Sequence, residues 1–482
     1  MELKPKRLCF TKRYVWEVTS EKKIDVQEHQ ATGNCWIKCA TFITVSLMSM
    51  GTGAAELWMT PALPHLKSTN FKFSVSTEEL SWIISLFNVG EIIGFLLYPL
   101  IIDRIGRKNT LLVFFMPQIL SCTLTLSAEN VITLYLARII GGIGYGAGTV
   151  VQVIYVNEIA DKNVRGLLIS ISRLAFLIGC ISIVLVGSLA SYDTMNLVVL
   201  LMQPIFILTF FFVPESPYFY LKRYSEEKAI KSLSKLHGID DIKILELKIN
   251  DMKEGIIEDV KSKEFALRSL FEKKRHRRAF FIVATLKIGV AFSGSSVIAV
   301  YTQEIFSYTG FSIPPEYSLI ILVAIVSVGV VPIVLLVDYV GRRAVILYGS
   351  IVCSLSLTVL GLFFFLKMYL QISDLSSISW SPLVALIFLE LSSVALLCTS
   401  FVISGEIFSS QVKSTALSFL YIKTKLLEVL MKLYFENVVG VFEIYGVFWI
   451  YAAACLLLCL IGFYIAPETK GKTLEEIQML LN

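Results

Sequence analysis

Apolar residues along this chain gather in long unbroken runs rather than alternating with polar ones. A bilayer core is crossed by about 20 apolar residues as helix. Runs of that kind lie near 36–58, 80–102, 109–127, 131–155, 167–191 and 195–213. A polar stretch, 214–278, follows, and six more runs lie near 279–302, 317–337, 344–366, 381–404, 415–439 and 442–465. The pattern predicts an all-α integral membrane protein with twelve spans in two six-helix bundles. Six runs, a long polar loop and six runs again is itself an internal repeat. The expected domains are an N-terminal tail (1–35), a first bundle (36–213), a central loop (214–278), a second bundle (279–465) and a C-terminal tail (466–482). Periodic Leu233, Leu236, Ile242 and Leu245 predict short surface helices inside the central loop. Span 11 is the weakest run by hydropathy, and the repeat supplies it.

Composition agrees with this class. The 482 residues are 55% hydrophobic and only 17% charged, where soluble domains hold about 25% charged residues. The net charge of +5 is small, so the placement of the basic residues carries more than their sum. Arg104, Arg107 and Lys108 lie between spans 2 and 3, Lys162 and Arg165 between 4 and 5, and Arg342 and Arg343 between 8 and 9. The loops between 3 and 4, 5 and 6, and 9 and 10 hold almost none. By the positive-inside rule both termini and the central loop are expected in the cytosol. The central loop carries 16 basic against 12 acidic residues. The first 35 residues are polar, so a cleavable signal peptide is not expected. Cys122, Cys180, Cys353, Cys398, Cys455 and Cys459 sit in apolar runs without zinc or disulfide spacing and read as small buried hydrophobes.

Span 2 ends in Asp103-Arg104-Ile105-Gly106-Arg107-Lys108, and span 8 ends in Asp338-Tyr339-Val340-Gly341-Arg342-Arg343. A carboxylate at a helix end, a tight glycine turn and a basic cluster therefore recur at matching places in the two halves. Arg138-Ile-Ile-Gly-Gly-Ile-Gly-Tyr-Gly lies in span 4, and Glu158 is followed by Arg165-Gly166. Pro214-Glu215-Ser216-Pro217 closes span 6, Gly405-Glu406-Ile-Phe closes span 10, and Pro467-Glu468-Thr469-Lys470-Gly471-Lys472-Thr473 follows span 12. In these strings the sequence resembles the major facilitator superfamily and its sugar porter branch, over roughly 36–478. Tyr218 in the run after span 6 is similar to the trehalose-transporter-like branch of insects. The resemblance implies alternating access, with a cytosolic gate formed by Asp103, Arg107, Glu158, Arg165, Glu215, Asp338, Arg342, Arg343, Glu406, Lys413 and Glu468. Glu158, Glu406, Glu215 and Glu468 are expected to pair with Arg107, Arg165, Arg343 and Lys413. An exposed pair contributes only about 0–1 kcal/mol, so such a gate must work as a network. The resemblance implies that the network clamps the two bundles at this face and that inward opening breaks it. Glycines 141, 142, 144, 146 and 148 are expected to let helices approach closely.

The chain departs from the family at the middle of the membrane. Val290 and Ala291 stand where the family has two glutamines, Ser296 where it has asparagine, Arg173 where span 5 has glutamine, and Val326 where span 8 has asparagine. Leu397 to Phe401 replace the Gly-Pro-rich kink of span 10, and Lys413-Ser414 replaces Arg-Gly. Amides bond sugar hydroxyls in both directions, and each unmade buried bond costs about 1–3 kcal/mol. The remaining candidate solute contacts are Arg173, Ser293, Ser296, Tyr301, Gln303 and Thr424. Tyr301 to Gln303 read equally well as part of an outer gate.

Charge takes the place of amides. Glu56, Glu91, Arg138, Arg173, Lys287 and Glu390 lie within apolar runs, and span 11 adds Lys425, Glu428, Lys432 and Glu436 along one stripe, with Lys423 opposite. A charge facing lipid costs about 2.5–3.5 kcal/mol or more, so these are expected to face the cavity or one another. Spacing of i, i+4 lets Glu428, Lys432 and Glu436 self-pair. Glu56 is the candidate for proton coupling, with a structural pairing to Arg173 or Lys287 as the alternative.

Sequence and resemblance together lead to a transporter, not an enzyme, moving a small polar solute, a sugar by resemblance. A non-sugar or anionic solute, and a sensor that binds without transport, remain as alternatives. No nucleotide loop, nucleophile elbow or metal cluster is present, so no cofactor and no metal are expected. The expected partners are the solute and the lipid bilayer, not nucleic acid, with a monomeric functional unit in the plasma membrane.

Overall fold

A computed structural model describes residues 6–7, 14–15, 35–160, 162–211, 213–237, 245–253, 270, 272, 274–372, 375–408, 410–470, 472, 476 and 479–480. Apart from a two-residue pairing of Lys6–Arg7 with Tyr14–Val15, the regular elements are helical. Span 1 is Cys35–Leu57, continued past a turn at Trp58 by a second helix, Met59–Lys67. Spans 2 to 6 are Thr77–Ile105, Arg107–Leu126, Val131–Ile159, Lys162–Leu189 and Tyr192–Phe210. Short helices Pro217–Lys222 and Glu226–His237 follow. Span 7 comes in two pieces, Lys274–Ala291 and Ser295–Thr309. Spans 8 to 12 are Pro315–Val340, Arg342–Phe364, Ser381–Ile407, Ser410–Leu433 and Phe435–Ile465.

Ten of these helices are long and apolar enough to cross a membrane by length and composition. The other two are span 1, rich in Thr, Ser and Gly, and span 11, which carries five charges after Gln411. Both are as long as their neighbours and pack among them, which completes the twelve. Large apolar side chains remain exposed on the outer faces of the helices, among them Leu100, Ile132, Leu201, Leu208 and Val328. On an integral membrane protein these form the lipid-facing surface.

The helix ends differ from the hydropathy reading where local chemistry intervenes. Ser76 and Glu79 form a reciprocal cap that starts span 2 three residues early. The segment 434–439 belongs to span 12, because the chain turns at Tyr434 and runs on to a kink at Glu443, whose φ is 57°. Span 7 breaks because Gly294 sits at φ 73°, a left-handed conformation that suits glycine.

Each half packs through small residues. Span 2 lies against span 4, span 3 against span 4 and span 1 against span 5, while span 9 lies against spans 10 and 12. Where span 4 crosses span 2, a Cβ added at Gly146 would come within 2.8 Å of the Glu91 Cα and 2.9 Å of its carbonyl carbon. One added at Gly142 would lie 2.9 Å from the Glu91 amide nitrogen. The halves meet where span 2 packs on span 11, span 5 on span 8, and Met59–Lys67 on Ser295–Thr309.

Because the obstacle at Gly146 is backbone, the two helices must separate to admit a larger residue. Gly146→Leu is expected to lower thermal stability in detergent by about 1–3 kcal/mol or more. An unchanged melting temperature would show that this crossing is not close-packed.

Candidate functional site

Helix breaks place the centre of the molecule. Span 1 turns at Trp58 and span 7 at 292–294, and the second pieces of both helices run side by side. Thr60 donates to the Ala299 carbonyl at 2.9 Å. Beyond it, Lys67 bridges Glu304 at 2.8 Å and approaches Glu436 at 3.8 Å. Tyr301 is buried here, stacked on Phe435 with ring centroids 4.5 Å apart, and its hydroxyl bonds Glu436. These contacts join the two halves at one end of the molecule. Tyr301 thus belongs to this closure. Gln303 is buried beside it, its Oε1 without a partner among the described residues. Thr424 donates to its own helix at the Leu420 carbonyl, 2.8 Å away. Ser293 is buried, and its Oγ accepts a long bond from the Ser295 amide at 3.4 Å, inside the span 7 break. Ser296 is half-buried one residue further on.

Below the closure, charges of span 11 meet those of span 2. Lys425 lies 3.3 Å from Glu91 and 3.1 Å from Glu428. The Tyr421 hydroxyl donates to Glu91. Lys432 donates to the Asn88 side-chain oxygen at 3.0 Å, while the Asn88 amide donates to Glu428 at 3.3 Å. The expected self-pairing of Glu428, Lys432 and Glu436 along span 11 is therefore replaced by bonds across the halves. Asn88, one turn before Glu91, offers both an acceptor and a donor at a depth where Glu436, at the closure, cannot reach. Glu56 comes in from span 1, bonded to the Tyr145 hydroxyl and facing Lys425, Lys432 and Arg138. Its side chain is solvent-accessible although protein surrounds it, so it borders an open cavity. Glu56 meets these cations rather than Arg173 or Lys287.

Arg138 is buried between the rings of Trp58 and Phe87, 4.9 and 4.3 Å from their centroids, and donates to the Ile83 carbonyl at 3.3 Å. Trp58 is itself fixed by a 2.8 Å bond to Asn196. Arg173 lies over Phe176 at 4.7 Å and is exposed. Lys287 is buried over the Phe401 ring at 4.3 Å, and the opposite charge of Glu428 acts on it. Glu390 of span 10 accepts from the Ser295 hydroxyl at 2.7 Å.

At the opposite end of the molecule the repeated motifs close two turns. Gly106 and Gly341 adopt φ of 94° and 104°. In the first half Arg107 pairs with Glu158 at 2.8 Å and with Asp103 at 3.2 Å, and Glu215 accepts the backbone N–H groups of Arg107 and Lys108 at 2.9 and 3.0 Å. In the second half Arg342, not Arg343, reaches Glu406 at 3.0 Å. Arg343 instead donates to the Phe463 carbonyl at 3.2 Å and lies over that ring. Glu468 accepts from the amides of Arg342 and Arg343 at 3.3 and 3.1 Å. Lys413 donates to the Gly405 carbonyl at 2.7 Å. The side chains of Arg165 and Asp338 lie outside the described residues. Each of these contacts joins residues of one half. Glu215 and Glu468 each cap the start of the next helix, where exposed amides and the helix dipole favour a carboxylate. Burial pushes the Glu215 carboxyl above its ordinary range. Burial also acts on Glu468, but four backbone N–H donors outweigh it and hold that carboxyl below the usual range.

Asn88, Tyr145 and Tyr421 were not among the sequence candidates, because a search for charge passes over neutral polar residues. Their signal was present: Asn88 is a strongly polar residue inside an apolar run, on the same helix face as Glu91.

Two measurements follow. Lys425→Gln leaves Glu91 buried without its cation, which costs about 3–5 kcal/mol, whereas the double change Lys425→Gln with Glu91→Gln should cost less than the sum of Lys425→Gln and Glu91→Gln alone. A double-mutant cycle on thermal unfolding checks this, and additive losses would show the pair does not interact. A carboxyl depressed on folding contributes stability above the unfolded value, about pH 4.3. That contribution disappears as pH falls through the lower folded value. Glu468→Gln is therefore expected to flatten the acid limb of the stability–pH curve and to leave a constant deficit near neutral pH.

Comparison with known proteins fits this architecture. A family model described as "Sugar (and other) transporter" matches residues 20–481. The facilitated trehalose transporter Tret1 of Drosophila yakuba is 27% identical over 470 residues, covering 96% of this chain and 54% of that protein. The Bombyx mori protein of the same name is 26% identical over 447 residues, covering 92% of this chain and 87% of its own length. The chain thus spans about half the length of several curated relatives it matches. Among solved structures, the inward open conformation of the xylose transporter XylE from E. coli superposes with a TM-score of 0.74 at 21% identity, over 92% of this chain and 99% of that one. XylE bound to 6-bromo-6-deoxy-D-glucose, titled a major facilitator superfamily proton:xylose symporter, gives 0.68 at 20% identity over 93% of this chain. Twelve helices in two halves, the recurring glycine turns and a family match across almost the whole sequence agree: the chain belongs to the sugar transporter family and is an integral membrane protein with the major facilitator fold.

Proposed function

We propose that the protein is a secondary transporter that carries a small polar solute, a sugar in the first instance, across the plasma membrane by alternating access. One observation carries this reading. Two discontinuous helices from opposite halves close one end of the molecule around a polar, solvent-accessible centre, a construction suited to a midplane solute site. The units that rock are residues 36–213 and 279–465, joined by the loop 214–278. The basic turns, both termini and that loop lie in the cytosol, so the closure at Lys67, Glu304 and Glu436 faces outward and the conformation is inward-facing. In the outward-facing state the gate residues of the two halves, Arg107, Glu158, Arg342 and Glu406 among them, come together on the cytosolic side. No covalent step is involved, no nucleic acid takes part, and a single chain is the working unit.

The exposed Arg173 favours a second reading, in which the solute carries a negative charge. An arginine where the family has an amide is a point of attraction for a carboxylate or phosphate.

Purified protein in liposomes is expected to take up labelled trehalose, glucose or xylose saturably above protein-free controls. Under the second reading, uptake of labelled sugar acids exceeds that of neutral sugars, and Arg173→Gln reduces it at least tenfold while sparing neutral sugars. Background uptake of both groups would remove the sugar reading.

A further inference from the structure

The intramembrane carboxylates are not equivalent in their partners. Glu91 and Glu428 share Lys425, and Glu56 faces Lys425, Lys432 and Arg138. Glu390 has none of these. Among the described residues its hydrogen-bond partner is neutral, the Ser295 hydroxyl at 2.7 Å.

The elements packed against Glu390 place no cation beside it among the described residues. Span 10 packs against both pieces of span 7 and against spans 8 and 9. On span 7, Lys287 sits over Phe401, eleven positions further along span 10, which is about 16 Å of helix rise. Glu304 is held at the outer closure by Lys67. The charged residues of span 8 are Glu316 at its outer end and Asp338 at its other end, the latter with an undescribed side chain. Span 9 carries no charge between Arg343 and Lys367. Glu406, on span 10 itself, is paired with Arg342 at the basic end. Glu390 is only half-buried, but an ionised carboxylate at this depth without a cation is still costly, and binding a proton removes the cost.

The position of Glu390 links that proton to movement. Ser295 is the first residue of the outer piece of span 7, directly after the Gly294 break. That piece packs on Met59–Lys67 and so forms half of the closure. We infer that Glu390 is a proton-binding site that couples protonation to the closure between the outer piece of span 7 and the second helix of span 1, so that solute movement is coupled to protons through span 10. This rests on the alternating-access reading above. Glu56, the candidate on sequence, is held among cations and keeps a structural role. Protonated Glu390 is satisfied in the closed arrangement. Deprotonated Glu390 needs fuller hydration than its half-buried place allows, and separation of the outer helices admits it.

Hydrogen exchange in lipid nanodiscs tests this without any solute, so its outcome is independent of whether a sugar is carried. After correction for intrinsic rates, segments 59–67 and 295–309 of the unaltered protein are expected to exchange at least fivefold faster at pH 8 than at pH 5.5. Glu390→Gln, which mimics the protonated acid, should exchange slowly at both pH values. Ser295→Ala should shrink the pH difference with the fold intact, and Glu56→Gln should keep it. A pH difference that survives in Glu390→Gln, or no difference in the unaltered protein, overturns the inference. Should Glu390→Gln fail to fold, a full pH difference in Ser295→Ala overturns it alone.

Discussion

The bond of Lys425 to Glu91, with Asn88, Tyr421, Glu428 and Lys432 around it, holds the two halves of this protein together inside the membrane. Charges at that depth cannot be left to lipid, and water reaches them only through the cavity. Each half therefore carries groups that only the other half satisfies. Such an arrangement adds little net stability over an apolar contact, because desolvation offsets much of the attraction. It does specify geometry: span 2 and span 11 must approach in one register for six polar side chains to find partners at once. Lys425 is the shared member, since both Glu91 and Glu428 pair with it, so its removal takes the cation from two carboxylates at once.

The rest of the fold serves that contact. Glycines 142 and 146 bring span 4 against span 2 so closely that Glu91 is fixed at the backbone as well as at its side chain. Arg138, clamped between Trp58 and Phe87, fixes the turn where span 1 breaks. From that turn Met59–Lys67 runs on to meet the second piece of span 7, so the closure is built on two helices that each begin at a break. At the other end the glycine turns capped by Glu215 and Glu468 keep each half rigid within itself. In the proposed alternating-access cycle the moving surface is the one between the halves, where a change of a few kcal/mol shifts the balance of two states.

The features legible in the sequence are those set by local pattern. Twelve runs, the recurring Asp-x-x-Gly-Arg turns and the small residues of span 4 follow from residue type and spacing alone. What escaped were choices among partners distant in sequence. Lys432 bonds Asn88 across 344 positions, and nothing in the span 11 stripe distinguishes that from pairing along its own helix. Arg342 and Arg343 are adjacent and chemically alike, and only the helix phase decides which one reaches Glu406. The run 279–302 gave no sign of the break at Gly294, and its consequence, the placing of Ser295 against Glu390, depends on how span 10 packs. The extension of span 1 to Lys67 is hidden because Pro61 and Pro64 read as helix breakers, while the first falls in the opening turn, where proline is tolerated.

Alternating access requires that the closure at Lys67 and Glu304 open and shut during every transport cycle. The most direct measurement joins these two positions. Cysteines placed at 67 and 304, in a background whose other reactive thiols are removed, can be linked by a short reducible bifunctional reagent. Uptake into proteoliposomes should fall to background when the link is made and return when it is reduced. Uptake that continues at the uncrosslinked rate with the link intact would contradict alternating access through this closure.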